Sequence, residues 1–307
     1  ADHLLTRDGI PITVRSRRFW NLNDPAAIDY LAQRVIGTLR DCGFGYLKVD
    51  YNETAGLGCD GAESQGEGLR RQVLGIYRFF DRIRDELKDL VIENCSSGGH
   101  RLEPSMLART AMSSFSDAHE LPEIPIIAAN LHRLMLPRQS QVWAVLHATD
   151  DERRLDYSLA GTFLGRMCLS GEIDRLSQAQ WAHVREAMAF YRRAAPIIRD
   201  GRSRRFGQIG QSWRHPSGWQ VVVRTAADGR SALAVLHAFA APPSADLSVP
   251  LPEGNWKVTH TLGNCGSISL AGGGMTWRGA EPFSAKVVLL ERRGSIAGKA
   301  GATGRGT

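Results

Sequence analysis

Two aspartates that each follow a short apolar run could supply the chemistry of this chain. Asp50 closes the run at residues 46–50, and Asp117 follows the run at residues 111–116. A β/α barrel builds a two-carboxylate active site from carboxylates at the carboxyl ends of separate parallel strands. One carboxylate could then act as a nucleophile and the other as an acid catalyst.

The residues beside the first aspartate support a chemical role without requiring one. Side chains alternate along a strand, so Tyr46, Lys48 and Asp50 share one face. A lysine ammonium beside Asp50 would favour the ionised carboxylate, which suits a nucleophile. The alternative is a buried Lys48–Asp50 pair that only orients the strands. For Asp117 the alternative is an aspartate that caps a helix.

A loop of small residues lies between the two aspartates, at residues 93–101. Gly98 and Gly99 would let a ligand approach the main chain closely. Arg101 could anchor this loop or contact a substrate. A plain turn is the alternative interpretation.

Composition excludes several classes of protein. The 307 residues carry 38 basic and 32 acidic side chains, and the arginine-rich patches at residues 15–18 and 202–205 are short and far apart. We therefore expect no nucleic-acid partner. No apolar run approaches the roughly 20 residues of a membrane span, so we expect no membrane partner either. The chain begins without Met and without a signal-peptide pattern, which is consistent with a fragment or a processed product.

The cysteines favour a reducing compartment. Their number is odd and no two have Cys-x-x-Cys spacing, which argues against a disulfide scaffold or a zinc site and predicts a cytoplasmic location. They are Cys42, Cys59, Cys95, Cys168 and Cys265. The nine histidines show no metal-ligand spacing.

Alternating strands and helices in the first two-thirds of the chain predict a parallel sheet. The expected strands are residues 19–23, 46–50, 90–92, 111–116, 142–146 and 162–169. The expected helices are residues 25–39 capped by Asp24, 69–88, 104–109, 127–136, one from about 155, and 176–198 capped by Ser177. About six strands within roughly 200 residues fall short of the eight strands and about 250 residues of a closed barrel. Residues 1–200 therefore predict an α/β fold, a partial (β/α)8 TIM barrel whose N-terminal part is missing.

The pattern changes after Gly201. Apolar or alternating runs lie between Gly, Pro and Asp breakers at residues 219–225, 232–239, 245–249, 256–262, 267–270 and 285–291. They predict an antiparallel β-sandwich domain at residues 201–293. The Gly- and Ala-rich tail at residues 294–307 is expected to be disordered.

Three motifs in this order resemble glycoside hydrolase family 36, the retaining α-galactosidases and their relatives. The family's Lys-x-Asp-x-Asn strand end, which bears the nucleophile, matches residues 48–52. Its Glu-Asn-Cys-x-x-Gly-Gly-x-Arg loop matches residues 93–101. Its Ser-Asp motif, which bears the acid/base, matches Ser116 and Asp117. The resemblance extends to residues 20–25 and 176–201.

The resemblance implies a glycoside hydrolase that releases terminal α-linked galactose from oligosaccharides by a retaining double displacement. Asp50 would be the nucleophile and Asp117 the acid/base. The residues implied to bind substrate are Lys48, Asn52, Cys95, Gly98 and Arg101. The expected partner is an α-galactoside oligosaccharide, no metal or organic cofactor is implied, and a homo-oligomer stays open.

The departures from the family pattern leave alternatives open. The family's N-terminal β-domain and first barrel strands, with a paired-Asp segment that grips galactose, are not in this chain. Its Ser-Asp-Asp-x-Asp motif here has Ala118 for the second Asp, and Glu120 could keep the last acidic position. Arg17 or Arg18 could match a substrate-binding arginine. An α-N-acetylgalactosaminidase, a raffinose-synthase-like galactosyltransferase and a non-catalytic carbohydrate-binding remnant are the alternatives.

Overall fold

The computed structural model describes residues 3–118, 122–210, 214–243 and 246–293. The chain divides into two compact units. The first comprises residues 1–143 with 165–168, and the second comprises residues 144–164 with 169–307. The tail predicted to be disordered lies outside the described residues.

The chain begins with four two-residue strands, and strands and helices then alternate. The short strands are β1 (Thr6–Arg7), β2 (Ile10–Pro11), β3 (Thr13–Val14) and β4 (Arg17–Arg18), which pair as two antiparallel hairpins. The alternating elements are α1 (Pro25–Asp41), β5 (Tyr46–Asp50), α2 (Gln65–Glu86), β6 (Val91–Cys95), α3 (Pro104–Leu107), β7 (Met112–Ser114), α4 (Ile124–Leu131), β8 (Ser140–Leu146), α5 (Glu152–Thr162), β9 (Arg166–Gly171) and α6 (Gln178–Asp200).

The five longer strands form one sheet in the order β5-β6-β7-β8-β9, and the pairs from β5 to β8 are parallel. A parallel sheet whose strands follow chain order, with helices between them, confirms the predicted partial (β/α)8 barrel. The predicted strand count of about six is one too high, because residues 19–23 make only an isolated bridge between Trp20 and Leu4.

The side chain of Gln72 on α2 explains why residues 19–23 do not form a strand. Gln72 Nε2 donates to the Trp20 carbonyl at 2.9 Å, and Gln72 Oε1 accepts from the Leu22 N–H at 2.8 Å. These are backbone groups that a strand would use to pair with a neighbour. Gln72 itself is buried, and its side chain pairs with both of these backbone groups.

Side-chain caps set where the helices begin. Asp24 accepts from the Ala26 N–H and caps α1, and Ser177 forms a capping box with Gln180 at the start of α6, as predicted. Helix α2 begins four residues before the predicted start, because Ser64 Oγ accepts from the Glu67 N–H at 3.2 Å. Apolar periodicity marks the buried face of a helix and therefore misses a polar first turn.

The core of the first unit determines which face of β5 can carry a site. Phe79, Phe80 and Ile83 of α2 are buried with residues of α1, and Leu47 and Val49 of β5 pack against this cluster. Because side chains alternate along a strand, Tyr46, Lys48 and Asp50 lie on the opposite face, here called the inner face.

The second unit carries two antiparallel sheets, which confirm the predicted β-sandwich. Its strands are β10 (Arg202–Gly210), β11 (Ser217–Thr225), β12 (Ser231–Ala238), β13 (Leu247–Pro250), β14 (Trp256–Leu262), β15 (Ser267–Ala271), β16 (Gly274–Arg278) and β17 (Ala285–Arg292). One sheet has the order β10-β11-β12-β17-β14 and the other β13-β16-β15. The sequence predicted neither β10 nor β16. Strand β10 lies at a sheet edge and carries three arginines, so it lacks the apolar alternation of a buried strand.

Helix α6 ends at Asp200 and β10 begins at Arg202. The predicted domain boundary between residues 200 and 201 stays a prediction, since the two compact units follow different bounds. All five cysteines are free thiols. No helix in the described part of the chain is long and apolar enough to cross a membrane.

Candidate active site

Strands β5, β6 and β7 bring the predicted site residues to one edge of the sheet. In the parallel register, Asp50 at the end of β5 lies opposite Cys95 at the end of β6. Strand β7 ends at Ser114, and Asp117 follows three residues later. The carboxyl ends of parallel strands share an edge, which is where barrel enzymes carry their catalytic groups.

Lys48 and Asp50 are both exposed on the inner face of β5. A buried Lys48–Asp50 pair is therefore not what the structure contains. The Lys48 ammonium lies 3.5 Å from Glu93 Oε1 and 5.1 Å from the centre of the Trp143 ring. Glu93 on β6 is thus the acidic partner of Lys48, and Asp50 lies two positions further along β5.

The backbone of Asp117 is held close to the loop after β6. Gly98 has φ +82°, and a Cβ built there would lie 2.6 Å from Asp117 N and 2.7 Å from Ser116 Cα. Such contacts are too short for any side chain. Asp117 itself is exposed, and the N-cap residue of α4 is Glu123, so Asp117 does not cap that helix.

The pKa of Cys95 depends on its burial and on the charges around the strand ends. Its thiol is fully buried, and this burial is the largest cause that raises its pKa. The negative charges of Asp50 and Asp117 raise that pKa further, whereas Lys48 and a hydrogen bond with the Gly98 backbone lower it. The two candidate carboxylates therefore both lie within electrostatic reach of one sulfur atom.

The loop after β6 is fastened to the end of β5. The Ser97 N–H donates to Asn52 Oδ1 at 3.1 Å, and Ser97 Oγ lies 3.2 Å from the same oxygen. The Ser96 hydroxyl donates to the Tyr51 carbonyl. The amide oxygen of Asn52 thus accepts hydrogen bonds from the loop.

Arg101 lies where it can both anchor the loop and line a cavity. Its guanidinium stacks on the Tyr51 ring at 3.7 Å from the ring centre, and its carbonyl accepts from Asn94 Nδ2 at 2.6 Å. Arg101 also belongs to the wall of a cavity of about 660 Å³ in the first unit.

Three of the predicted site residues line this cavity, together with both candidate arginines. Its polar wall includes Arg17, Arg18, Asp50, Asn52, Glu53, Ser96, His100 and Arg101, and Trp20 contributes an aromatic surface. Lys48, Cys95, Gly98 and Asp117 are not among its lining residues. Asp50, Asn52 and Arg101 thus line this cavity, whereas the other four predicted site residues do not.

Glu93 is the site neighbour to which sequence reasoning gave no role. It is 2% exposed, and burial raises its pKa, with hydrogen bonds from Ser114 and Gln141 acting in the opposite direction. Period-two alternation along β6 could have found it, since Glu93 shares a face with Cys95.

The described residues at this edge of the sheet form no metal-binding cluster. Among residues 3–118, 122–210, 214–243 and 246–293, no group of three or more His, Cys, Asp or Glu side chains is placed to hold a metal ion. Glu120, which the sequence suggested as a further acidic group, lies outside the described residues.

The family model for melibiase matches residues 2–201. The chain belongs to the melibiase family. This match covers the whole of the alternating strand and helix region, including the ends of β5, β6 and β7. The melibiase match confirms the resemblance to glycoside hydrolase family 36, and solved structures of that family share the fold of this melibiase-family chain.

Curated relatives of this melibiase-family chain include α-galactosidases from fungi and bacteria. It is 25% identical over 300 residues to the probable α-galactosidase C of Aspergillus flavus, which covers 91% of this chain and 37% of that one. It is 26% identical over 187 residues to α-galactosidase AgaA of Geobacillus stearothermophilus, and this match covers 56% of this chain and 25% of AgaA. The crystal structure of a variant of that AgaA, a family 36 α-galactosidase, superposes with a TM-score of 0.79 at 19% identity, covering 95% and 42%. The melibiase-family chain thus spans less than half the length of these relatives.

Proposed function

We propose that this chain hydrolyses the bond to terminal α-linked galactose in oligosaccharides and releases galactose with retention of configuration. The observation that carries the proposal is that Asp50 ends β5 opposite Cys95, while the backbone of Asp117, just after β7, lies against Gly98 in the loop after β6. Family membership supports the sugar, because the curated relatives are α-galactosidases. AgaA variants have been solved with raffinose and with stachyose, which favours α-galactosyl oligosaccharides as substrates.

The proposed mechanism assigns one step to each carboxyl group. Asp50 attacks the anomeric carbon and forms a covalent glycosyl-enzyme intermediate, while Asp117 protonates the leaving oxygen. Asp117 then removes a proton from water, which attacks the same carbon and releases galactose. A retaining enzyme needs its two carboxyl groups about 5–5.5 Å apart.

The remaining predicted residues would bind the sugar. Lys48 on the inner face and the amide nitrogen of Asn52 would donate to sugar hydroxyls, and Arg101 would contribute its guanidinium from the cavity wall. Cys95 is fully buried, so it would support the strand end that carries Asp50 rather than touch the sugar. Gly98 would act by letting Asp117 approach the loop after β6.

A substrate panel tests this proposal against its alternatives. Aryl α-galactoside, α-N-acetylgalactosaminide, α-glucoside and β-galactoside are offered to the chain, and the anomer first released is followed by proton NMR. We expect turnover of the α-galactoside with α-galactose as the first product. Preference for the 2-acetamido sugar, or transfer of galactose to a sugar acceptor in place of water, would identify a different member of the family. Binding without turnover would identify a carbohydrate-binding remnant.

Variants assign the steps. Asp50→Asn and Asp117→Asn should each lower kcat by 10³-fold or more, in order of magnitude. Asp89→Asn is the matched control, because Asp89 is exposed just before β6, at the opposite edge of the sheet. Azide should rescue an Asp117→Ala variant on an aryl substrate with a good leaving group. Such a group departs without protonation, and azide displaces Asp50 from the anomeric carbon without a general base. Unchanged activity in either of the first two variants would refute the assignment.

We also place this activity in the cytoplasm, because all five cysteines are free thiols and free thiols persist in reducing compartments. Alkylation in freshly lysed cells should modify the unfolded chain at five thiols without prior reduction. Thiols that react only after reduction would contradict this location.

A further inference from the structure

A buried carboxyl group lies on the inner face of the sheet and has no step in the mechanism above. Glu93 is 2% exposed. Ser114 Oγ on β7 donates to its Oε1 at 2.5 Å, and the Tyr46 hydroxyl on β5 donates to its Oε2. The Lys48 ammonium, also on β5, lies 3.5 Å from Oε1. Two neighbouring strands therefore direct a cation and two hydroxyl donors at one carboxyl group.

The charge on Glu93 needs a partner, because a carboxylate removed from water is costly unless it is paired. Lys48 is the ammonium in contact with it. Within the described part of the chain, the other titratable groups that interact with Glu93 are the Tyr46 hydroxyl and the Cys168 thiol of β9. The charge of Glu93 contributes to the raised pKa of Cys168. Ionisation of Glu93 thus decides how strongly Lys48 is attracted to the sheet.

The strand register places Lys48 between two acids. Lys48 lies opposite Glu93, while Asp50 lies opposite Cys95. Lys48 and Asp50 are two positions apart on one face, which is roughly 6.6 Å along the strand. A flexible four-carbon side chain spans that distance. The orientation of the ammonium is therefore a balance between the attraction of Glu93 and that of the groups at the strand ends.

We propose that Glu93 is a positioning residue. It fixes the Lys48 ammonium on the inner face so that this ammonium can donate a hydrogen bond to the sugar bound at Asp50. Glu93 acts through Lys48 and does not touch substrate. The proposal rests on the proposed function of this site. When Glu93 is neutral, the face of the Trp143 ring is the remaining contact described for the ammonium.

A double-mutant cycle tests the route of this effect. kcat/KM for aryl α-galactoside is measured across pH for the parent chain, Glu93→Gln, Lys48→Met and the double variant. We expect Glu93→Gln to lower kcat/KM about tenfold where Glu93 is ionised. The two profiles should converge at acid pH, where the parent's Glu93 is protonated. In the Lys48→Met background, Glu93→Gln should have no further effect.

A second measurement follows Lys48 without any substrate. The chain has five lysines, namely Lys48, Lys88, Lys257, Lys286 and Lys299. Reductive methylation with ¹³C therefore gives a spectrum in which the signal lost in Lys48→Met identifies Lys48. We expect that signal to shift as Glu93 ionises, at a pH above the ordinary range of a glutamate, and to lose this shift in Glu93→Gln. Glu93→Asp should keep the shift and lose part of the activity.

These outcomes separate the two proposals. An equal loss from Glu93→Gln with and without Lys48, or a loss by the same factor at every pH, would overturn the role of Glu93. A Lys48 signal that shows no shift attributable to Glu93 would overturn it as well, even if Glu93→Gln fails to fold, because the parent chain carries this test. Absence of turnover by a folded parent chain would count against the proposed function, and the Lys48 signal would then decide the Glu93 proposal alone.

Discussion

Gly98 lies directly against the backbone of Asp117, so that a Cβ at Gly98 would be 2.6 Å from Asp117 N. Two loops that follow different strands thus meet where the proposed acid/base begins. The position of Asp117 depends on the absence of a side chain 19 residues earlier in the sequence.

Gly98→Ala should therefore displace Asp117. The new methyl group cannot fit without movement of the Asp117 backbone, and a shift of about 1 Å at a catalytic group can cost about 100-fold in rate. We expect kcat for aryl α-galactoside to fall by about that factor. The positive φ of Gly98 adds a stability cost of about 1 kcal/mol.

Gly43→Ala is the matched control for this substitution. Gly43 has φ +68°, and nothing lies within 4 Å of a Cβ built there. It should therefore lose a similar amount of stability to backbone strain while keeping its kcat. Equal activity in Gly98→Ala and Gly43→Ala would show that Asp117 does not depend on this contact.

Gln72→Leu should destabilise the first unit. It would leave the Leu22 N–H and the Trp20 carbonyl without their present partner. An unsatisfied buried backbone group costs about 1–3 kcal/mol, and we expect the free energy of unfolding to fall by about 3 kcal/mol in urea titrations. Gln33→Leu makes the same change on the exposed face of α1 and should lie within about 0.5 kcal/mol of the parent. Comparable losses in both variants would contradict this role of Gln72.

The pair between His183 and Asp156 should make the stability of the second unit depend on pH. His183 Nε2 lies 2.8 Å from Asp156 Oδ1. This hydrogen bond is the largest cause that raises the pKa of His183 above 6.5, and burial opposes it. A raised folded-state pKa stabilises the fold fully below pH 6.5, and this contribution is lost as the pH rises through the folded-state value.

Urea titrations between pH 5.5 and about 8.5 measure this contribution. The parent chain should lose stability across the upper part of that range, and His183→Gln should show a flatter profile. His100→Gln is the control, because His100 is exposed in the first unit and should leave the slope unchanged. A parent profile as flat as that of His183→Gln would contradict the assignment.

Glu93 should also make the free energy of unfolding fall as the pH rises, but for a different reason. Burial raises its pKa above the ordinary glutamate value, so the folded chain holds the proton more tightly than the unfolded chain. The stabilisation is complete below the ordinary value near 4.5 and declines as the pH rises through the folded-state value. Glu93→Gln should remove this decline. A decline that persists in Glu93→Gln would assign it to another group.

Local patterns in the sequence were sufficient for the elements that carry the site. The alternation at residues 46–50 places Lys48 and Asp50 on one face, and Asp24 and Ser177 cap the helices they precede. These features depend on neighbours within a few residues. The rest of the site prediction came from the order of the three motifs along the chain.

The missed features depend on partners far along the chain. The pattern at residues 19–23 is typical of a strand, but Gln72, about 50 positions later, forms hydrogen bonds with two of the backbone groups that a strand would use. The partner of Lys48 could not be read from β5 alone, because Glu93 reaches it only through the parallel register with β6. Strand β10 has charged side chains because it lies at an edge, a position that only the assembled sheet defines.

The proposed mechanism requires that Asp50 becomes covalently attached to the sugar. A mechanism-based epoxide with the configuration of α-galactose labels the nucleophile of a retaining enzyme, and peptide mass spectrometry locates the label. We expect one label per chain on Asp50, blocked by galactose and absent from Asp50→Asn. A label on another residue, or full turnover of α-galactoside by Asp50→Asn, would contradict it.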